Sequence, residues 1–362
     1  MNTLQKKKLR GTGVNCGLIV LLFAVVLLLG QVLPDNTYRR VLVPIIWQMC
    51  IFILLGTSLN LTLGYLGQLT LGHMGFAGIG AYTAALSSLA LERAGVFEAS
   101  KAAPGQLILV VLGCCLLGAI FAGLLGLLVG IPALRLRGDY LAIVTLAFGE
   151  IIKNIMNAVY LGVDDSGLHF SLKDAASMNM AEDGKILING AMGITGIKKT
   201  STFTMGIILV LITLVVVLNL IRSRAGRAIS AIRDNEIAAK SIGINITRYK
   251  LMAFVLSSVF AGMAGVLYSL NYSSLVAKKF DYNTSINILV FVVLGGIGSI
   301  RGSVIAAALL TVLPEMLRGL NDYRMLIYAI VLIVMMIFTR SPKLVAVSYT
   351  HLRAHETPEH LV

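Results

Sequence analysis

RSRAGRAISAIRDNEIAAKSIGINITRYK, residues 222–250, lies between two long apolar runs at 203–221 and 251–270. It carries Arg222, Arg224, Arg227, Arg233, Lys240, Arg248 and Lys250 against only Asp234 and Glu236. Such a basic excess beside hydrophobic runs marks the cytoplasmic flank of membrane spans. Within the stretch, Asp234-Asn235 can cap a short amphipathic helix, because the residues that follow, EIAAKSI, are good helix formers. Gly243 tolerates the left-handed backbone that ends a helix. Ile237, Ala238, Ser241 and Ile242 fall at helical spacing and form a small face suited to a groove on another protein.

Working outward, the composition agrees with a membrane chain. Of 362 residues, 57% are hydrophobic and 13% charged, with a mean hydropathy of +0.87. A soluble domain of this length would need far more charge to cover its surface. The net charge of +13 does not point to nucleic acid, because the basic residues sit in short flanks of apolar runs. Lipid headgroups and membrane orientation account for that placement. Cys16, Cys50, Cys114 and Cys115 all lie in apolar stretches and read as small packing residues, without metal-ligand spacing.

Runs long enough to cross a bilayer, roughly 20 residues each, fall at 16–33, 41–63, 72–91, 106–131, 140–160, 203–221, 251–270, 286–313 and 324–338. The fold class expected is an all-α, polytopic bundle of about 8–10 transmembrane helices with glycine-broken segments. The 286–313 run contains GGIGSIRG at 295–302 and is either two short helices or one broken span. Lys6, Lys7, Lys8 and Arg10 hold the N-terminal tail, 1–15, in the cytoplasm, and the first span reads as uncleaved. Alternating sides from there puts 161–202 outside and 222–250 inside. Arg39 and Arg40 fall on the wrong side of that count. The doublet Asp164-Asp165 in the outside loop reads as solvated.

Two stretches are rich in glycine, 64–80 (GYLGQLTLGHMGFAGIG) and 294–302 (LGGIGSIRG). Glycine permits close helix packing, and glycine with polar residues permits a break where a cavity is lined. Gly67, Gln68, Thr70 and His73 in the first stretch, with Gly295, Gly296 and Gly298 in the second, are therefore candidates for a solute path. His73 reads equally as a packing histidine. Glu150 sits mid-span with Lys153 one turn on. It either pairs internally to fix packing or contributes a polar element to the path.

No phosphate-binding G-x-x-x-x-G-K-[S/T] loop, H-E-x-x-H or nucleophile elbow occurs, so no catalytic or metal-binding residue and no cofactor is expected. Uphill transport would then draw on an ion gradient or on a separate ATPase pressing on the basic loop.

Several strings together resemble one family, the membrane permeases of ABC importers for branched-chain amino acids. They are 64–82 (GYLGQLTLGHMGFAGIGAY), 134–153 (LRLRGDYLAIVTLAFGEIIK), 226–249 (GRAISAIRDNEIAAKSIGINITRY), 261–268 (AGMAGVLY) and 294–302. The RGDYLAIVT run is similar to the longer of two paralogous subunits. The resemblance implies a permease domain at 16–340, with an external loop at 161–202 and a coupling loop at 222–250. It also implies that Glu236, Ala238, Ala239 and Gly243, with Asp234 ahead of them, dock on an ATPase. The implied partners are a second permease in a heterodimer, two ATPase subunits and a periplasmic or lipid-anchored binding protein that delivers Leu, Ile or Val. The implied location is the bacterial inner membrane. Relatives also carry urea and short amides. An ion-coupled secondary carrier or a facilitative channel for a small polar solute are the competing readings.

The C-terminus departs from the family. Residues 347–357, VSYTHLRAHET, resemble a translated sequencing adaptor, so 347–362 is expected to be a non-native tail. His351 and His355 stand at the spacing of a helical metal pair, but the foreign character of the segment outweighs that reading.

Overall fold

The computed structural model describes residues 43–93, 104–136, 138–164, 167–174, 176–178, 184–317 and 323–340, together with Gly17. The rest of the expected span at 16–33, the basic N-terminal tail, Arg39, Arg40, Asp165 and the tail 347–362 lie outside the described residues.

Helix α1 (Val43–Asn60) runs directly into a π-helical turn, Leu61–Tyr65. An extended stretch then leads to α2 (His73–Arg93), followed by α3 (Pro104–Ala133) and α4 (Asp139–Ala158). Beyond a small sheet come α5 (Phe203–Arg222), α6 (Arg224–Asp234), α7 (Glu236–Ser241) and α8 (Ile246–Ser269). The series ends with α9 (Tyr282–Gly295), α10 (Ile300–Met316) and α11 (Arg324–Arg340). Among the described residues, six helices are long and apolar enough to cross a membrane: α1 with its π turn, α2, α3, α4, α5 and α8. The apolar run at 286–313 resolves into two short helices, α9 and α10, broken at 296–299.

Lipid tails are as apolar as leucine, so helices inside a bilayer associate by close packing of small residues rather than by escape from water. The bundle follows that rule around α8, which packs on α1, α2 and α3. A Cβ at Gly265 would stand 1.9 Å from the Ala77 carbonyl oxygen, and one at Gly80 would stand 2.2 Å from that of Gly262. The backbones of α2 and α8 are therefore in direct contact. Edge-to-face packing of Phe76 on Phe254, centroids 5.6 Å apart, completes the seam. On α3 the outward positions Leu109, Leu116, Leu124 and Leu128 are exposed, as expected of a side turned to hydrocarbon.

The chain divides into two compact units, Met1–Ala308 and Leu309–Val362. The second includes α11, whose residues Leu326, Ile330, Ile333 and Ile337 form an exposed apolar stripe at helical spacing.

The stretch expected as a plain outside loop contains secondary structure. Strands β1 (Tyr160–Asp164), β2 (Gly167–Ser171) and β3 (Lys185–Asn189) form an antiparallel sheet in the order β2-β1-β3. A short β4 (Ile194–Thr195) pairs with β5 (Ser274–Leu275), tying this sheet region to the segment after α8. The expectation that Asp164 is simply solvated is corrected. Its side chain is 3% exposed, and Oδ1 accepts from the Gly167 amide (3.1 Å) and pairs with His169 Nε2 (3.0 Å). The carboxylate thus supplies an acceptor to the backbone where β2 begins. Cys50, Cys114 and Cys115 are free and buried.

Candidate functional site

The basic loop folds as two helices, which corrects the expectation of a single short one. Ser223 caps α6 by accepting from the Gly226 amide at 3.2 Å. Asn235 then takes an extended backbone (φ −157°) and breaks the run. Its Oδ1 accepts from the amides of Ile237 and Ala238, both at 3.0 Å, and so starts α7. The end of α7 is closed by two bonds, Gly243 N to Lys240 O (3.0 Å) and Ile244 N to Ala239 O (3.1 Å). This double closure requires a left-handed residue, and Gly243 supplies it at φ +85°.

Packing sorts the loop residues into two sets. Ala239 is 2% exposed and packs with Leu66, Ile229, Ile232 and Ala253, which anchors α7 to α6, α8 and the end of the π turn. Glu236 Oε2 accepts from Lys250 Nζ at 2.9 Å, tying the start of α7 to α8. By contrast Ile237 is 81% and Ile242 74% exposed, and Ala238 and Ser241 are open beside them. Glu236, Ile237, Lys240, Asn245 and Thr247 line an adjoining cleft of about 610 Å³. Anchoring at Ala239 and capping at both ends thus leave a small apolar face turned outward.

The two glycine-rich stretches meet directly behind this loop. A Cβ at Gly64, in the π turn, would lie 2.5 Å from the Gly298 amide nitrogen. Buried Asn60 bridges the same place: Oδ1 accepts from Gly298 N (2.9 Å) and Nδ2 donates to Ser303 Oγ (2.9 Å). Gly296 and Gly298 both have positive φ, so only glycine shapes the α9–α10 break without strain. Gly295 lies against the backbone of Gly302 across that break. From the loop side, Arg233 Nη1 donates to the Gly64 carbonyl at 3.0 Å, and its stem lies against Gly67. The same guanidinium holds Asp234 Oδ1 through Nε (3.1 Å) and Nη2 (3.0 Å).

The remaining path candidates occupy other settings. The Gln68 backbone N–H donates to Thr62 O at 3.0 Å, while Gln68 Oε1 and Thr70 Oγ1 are buried with no hydrogen-bond partner among the described residues. His73 is 2% exposed, and its Nε2 lies 2.7 Å from Ser58 Oγ. Since that hydroxyl donates to Leu55 O (2.8 Å), the satisfied arrangement has Nε2–H donating to Ser58. Glu150 is not among the glycine breaks. Its Oε2 accepts from Lys153 Nζ, and its Oε1 accepts from the Tyr282 amide (3.2 Å) at the start of α9. Asp281 caps α9 there. Burial pushes its carboxyl pKa up, but donors from Thr284 and Asn283 and the Lys153 charge outweigh that and hold it below the usual range. Among the described residues there is no group of three or more His, Cys, Asp or Glu able to hold a metal ion.

Asn60, Ser303, Arg233 and Lys250 were missed as site residues from sequence. For Asn60 a signal existed, a lone amide inside an apolar run. Ser303 and Arg233 depend on partners far along the chain, and Lys250 on how the loop folds back to bring Glu236 to α8.

With this geometry in place, likeness to known proteins identifies the class. Residues 41–338 match the family described as branched-chain amino acid transport system / permease component, and the chain belongs to that family. It is 34% identical over 326 residues to the high-affinity branched-chain amino acid transport system permease protein LivM of Salmonella typhimurium, covering 88% of this chain and 73% of that one. The LivM of Escherichia coli is similar to the same extent. A probable branched-chain amino acid transport permease of Methanocaldococcus jannaschii is 27% identical over 202 residues, or 54% of this chain and 53% of its own. No solved structure matches the chain. The protein is thus a multi-pass membrane permease, a non-catalytic component of a transport system.

Proposed function

We propose that this permease carries branched-chain amino acids, or a closely related small solute, inward across the bacterial inner membrane, with a separate ATPase supplying the energy. It would work beside a second permease subunit, two ATPase subunits and an external binding protein. The basic loop 222–250 lies on the cytoplasmic side in this reading, in keeping with its charge, and the N-terminus lies there too. The substrate class comes from the names of the relatives. The observation that carries the docking part is the outward face of α7, with Ile237 and Ile242 exposed on a helix that Ala239, Asn235 and Gly243 hold rigid.

The mechanism is alternating access. Closure of the ATPases on ATP pushes α7, and the broken segments at 61–67 and 296–299 shift between outward- and inward-open packings. Gln68 and Thr70, buried with unsatisfied polar atoms in the non-helical stretch after the π turn, are the path candidates this reading favours. Glu236→Lys and Gly243→Pro test it. Both variants should insert normally yet lose ATPase co-purification and solute uptake. Normal transport by both would defeat the docking assignment. Residues 347–362 have no role in this reading, which sequencing the genomic locus across that junction would check.

A further inference from the structure

We infer that Arg233 is the residue through which the docking loop moves the broken spans, acting as a positioning residue rather than as part of the docking face. This rests on the docking reading above and adds the step that follows it. The last carbonyls of a helix lack donors within the helix. Gly64 O stands at such an end, in the final turn of the π segment, and Arg233 Nη1 fills the vacancy at 3.0 Å. A cation at a helix C-terminus is favoured further by the helix dipole, and a charge-assisted bond outlasts small displacements.

Arg233 also occupies the point where α6 hands over to α7, two residues before the Asn235 break. Its Nε and Nη2 grip Asp234 while Nη1 reaches across to the span. When α6 and α7 shift together, as their shared packing through Ala239, Ile229 and Ile232 dictates, Arg233 carries that shift to Gly64 directly, beside the contact of Ala239 with Leu66. From Gly64 the displacement has nowhere to dissipate. The glycine has no side chain, its backbone abuts Gly298, and Asn60 clamps Gly298 and Ser303 to α1. One pull on Gly64 is delivered to both interrupted segments together.

The test uses the permease purified with its ATPase subunits and binding protein in proteoliposomes. Arg233→Ala should keep ATPase co-purification but lower solute imported per ATP hydrolysed about tenfold, the size of one charge-assisted hydrogen bond. Arg233→Lys, which restores a donor for Gly64, should recover part of that coupling. In parallel, amide exchange in the 61–67 peptide should respond to a non-hydrolysable ATP analogue in the wild type and not in Arg233→Ala. Unchanged coupling with an intact exchange response in Arg233→Ala overturns the inference, and so does a Lys variant no better than Ala. If Ala fails to insert, the Lys variant and its exchange response decide alone. Failure of the wild-type permease to retain the ATPase would instead sink the docking reading.

Discussion

Single residues in this permease divide by whether their surroundings leave room. Gly265 has a carbonyl oxygen 1.9 Å from where a Cβ would be, whereas among the described residues no atom beyond its own stretch of helix comes within 4 Å of that position at Gly105. Gly265→Val should therefore abolish a folded, monodisperse protein in detergent, while Gly105→Ala should leave thermal unfolding within a degree or two of wild type. Asp281 offers a pH-dependent counterpart. Its carboxyl is held below the usual range when folded, so its stabilising contribution is complete above the unfolded pKa and fades as pH falls through the lowered one. Asp281→Asn keeps an N-cap side chain but cannot titrate. It should flatten the acid arm of the stability profile, measured by thermal melting between about pH 2 and 5. Local chemistry of this kind was legible in the sequence: the capping role of Asn235 and the terminating role of Gly243 depend only on near neighbours. Arg233 was legible as a charge but not as a link, because its partner Gly64 belongs to a span 169 residues earlier.

At the scale of elements, α7 is where effects on stability and on the proposed partner binding should separate. Ile237 is 81% exposed, so Ile237→Asp should leave melting unchanged and lower ATPase affinity about tenfold or more in a pull-down titration. Ala239 is 2% exposed within a packed cluster, so Ala239→Asp should unfold the loop and reduce the melting temperature as well. Equal effects of the two on melting would mean that the face is not free. An interruption between α9 and α10 was readable from Gly295-Gly296-Ile297-Gly298, although the sequence left open whether it divides two short helices or breaks one span. The β-sheet at 160–189 was not. Its strands are at most five residues long, and the neighbouring β4 finds its partner only after α8, in β5. That the basic loop forms two helices rather than one was hidden for a similar reason. Asn235 starts α7, and the separate helix α6 before it is held by Ile229 and Ile232 packing with Leu66 and Ala253, residues from distant parts of the chain.

For the whole molecule, the permease family fixes the class, a non-catalytic component of a transport system, and the proposed docking loop is where a partner's work would enter. Reconstituted alone in vesicles with a proton or sodium gradient, it should accumulate no solute; robust accumulation there would favour an ion-coupled carrier instead. The bundle around α8 is zipped by backbone contacts that tolerate little sliding, whereas α1, α9 and α10 meet at interruptions. One consequence concerns chain length rather than chemistry. The π turn at 61–65 accommodates one residue more than an ordinary helical turn. Deleting a single residue there would let the helix close up regularly and remove the widened turn that presents the Gly64 carbonyl. Gly64 would swing away from Arg233 and Gly298 alike. A one-codon deletion in this short segment would then silence a transporter that still reaches the bilayer, a vulnerability that no scan of substitutions would reveal.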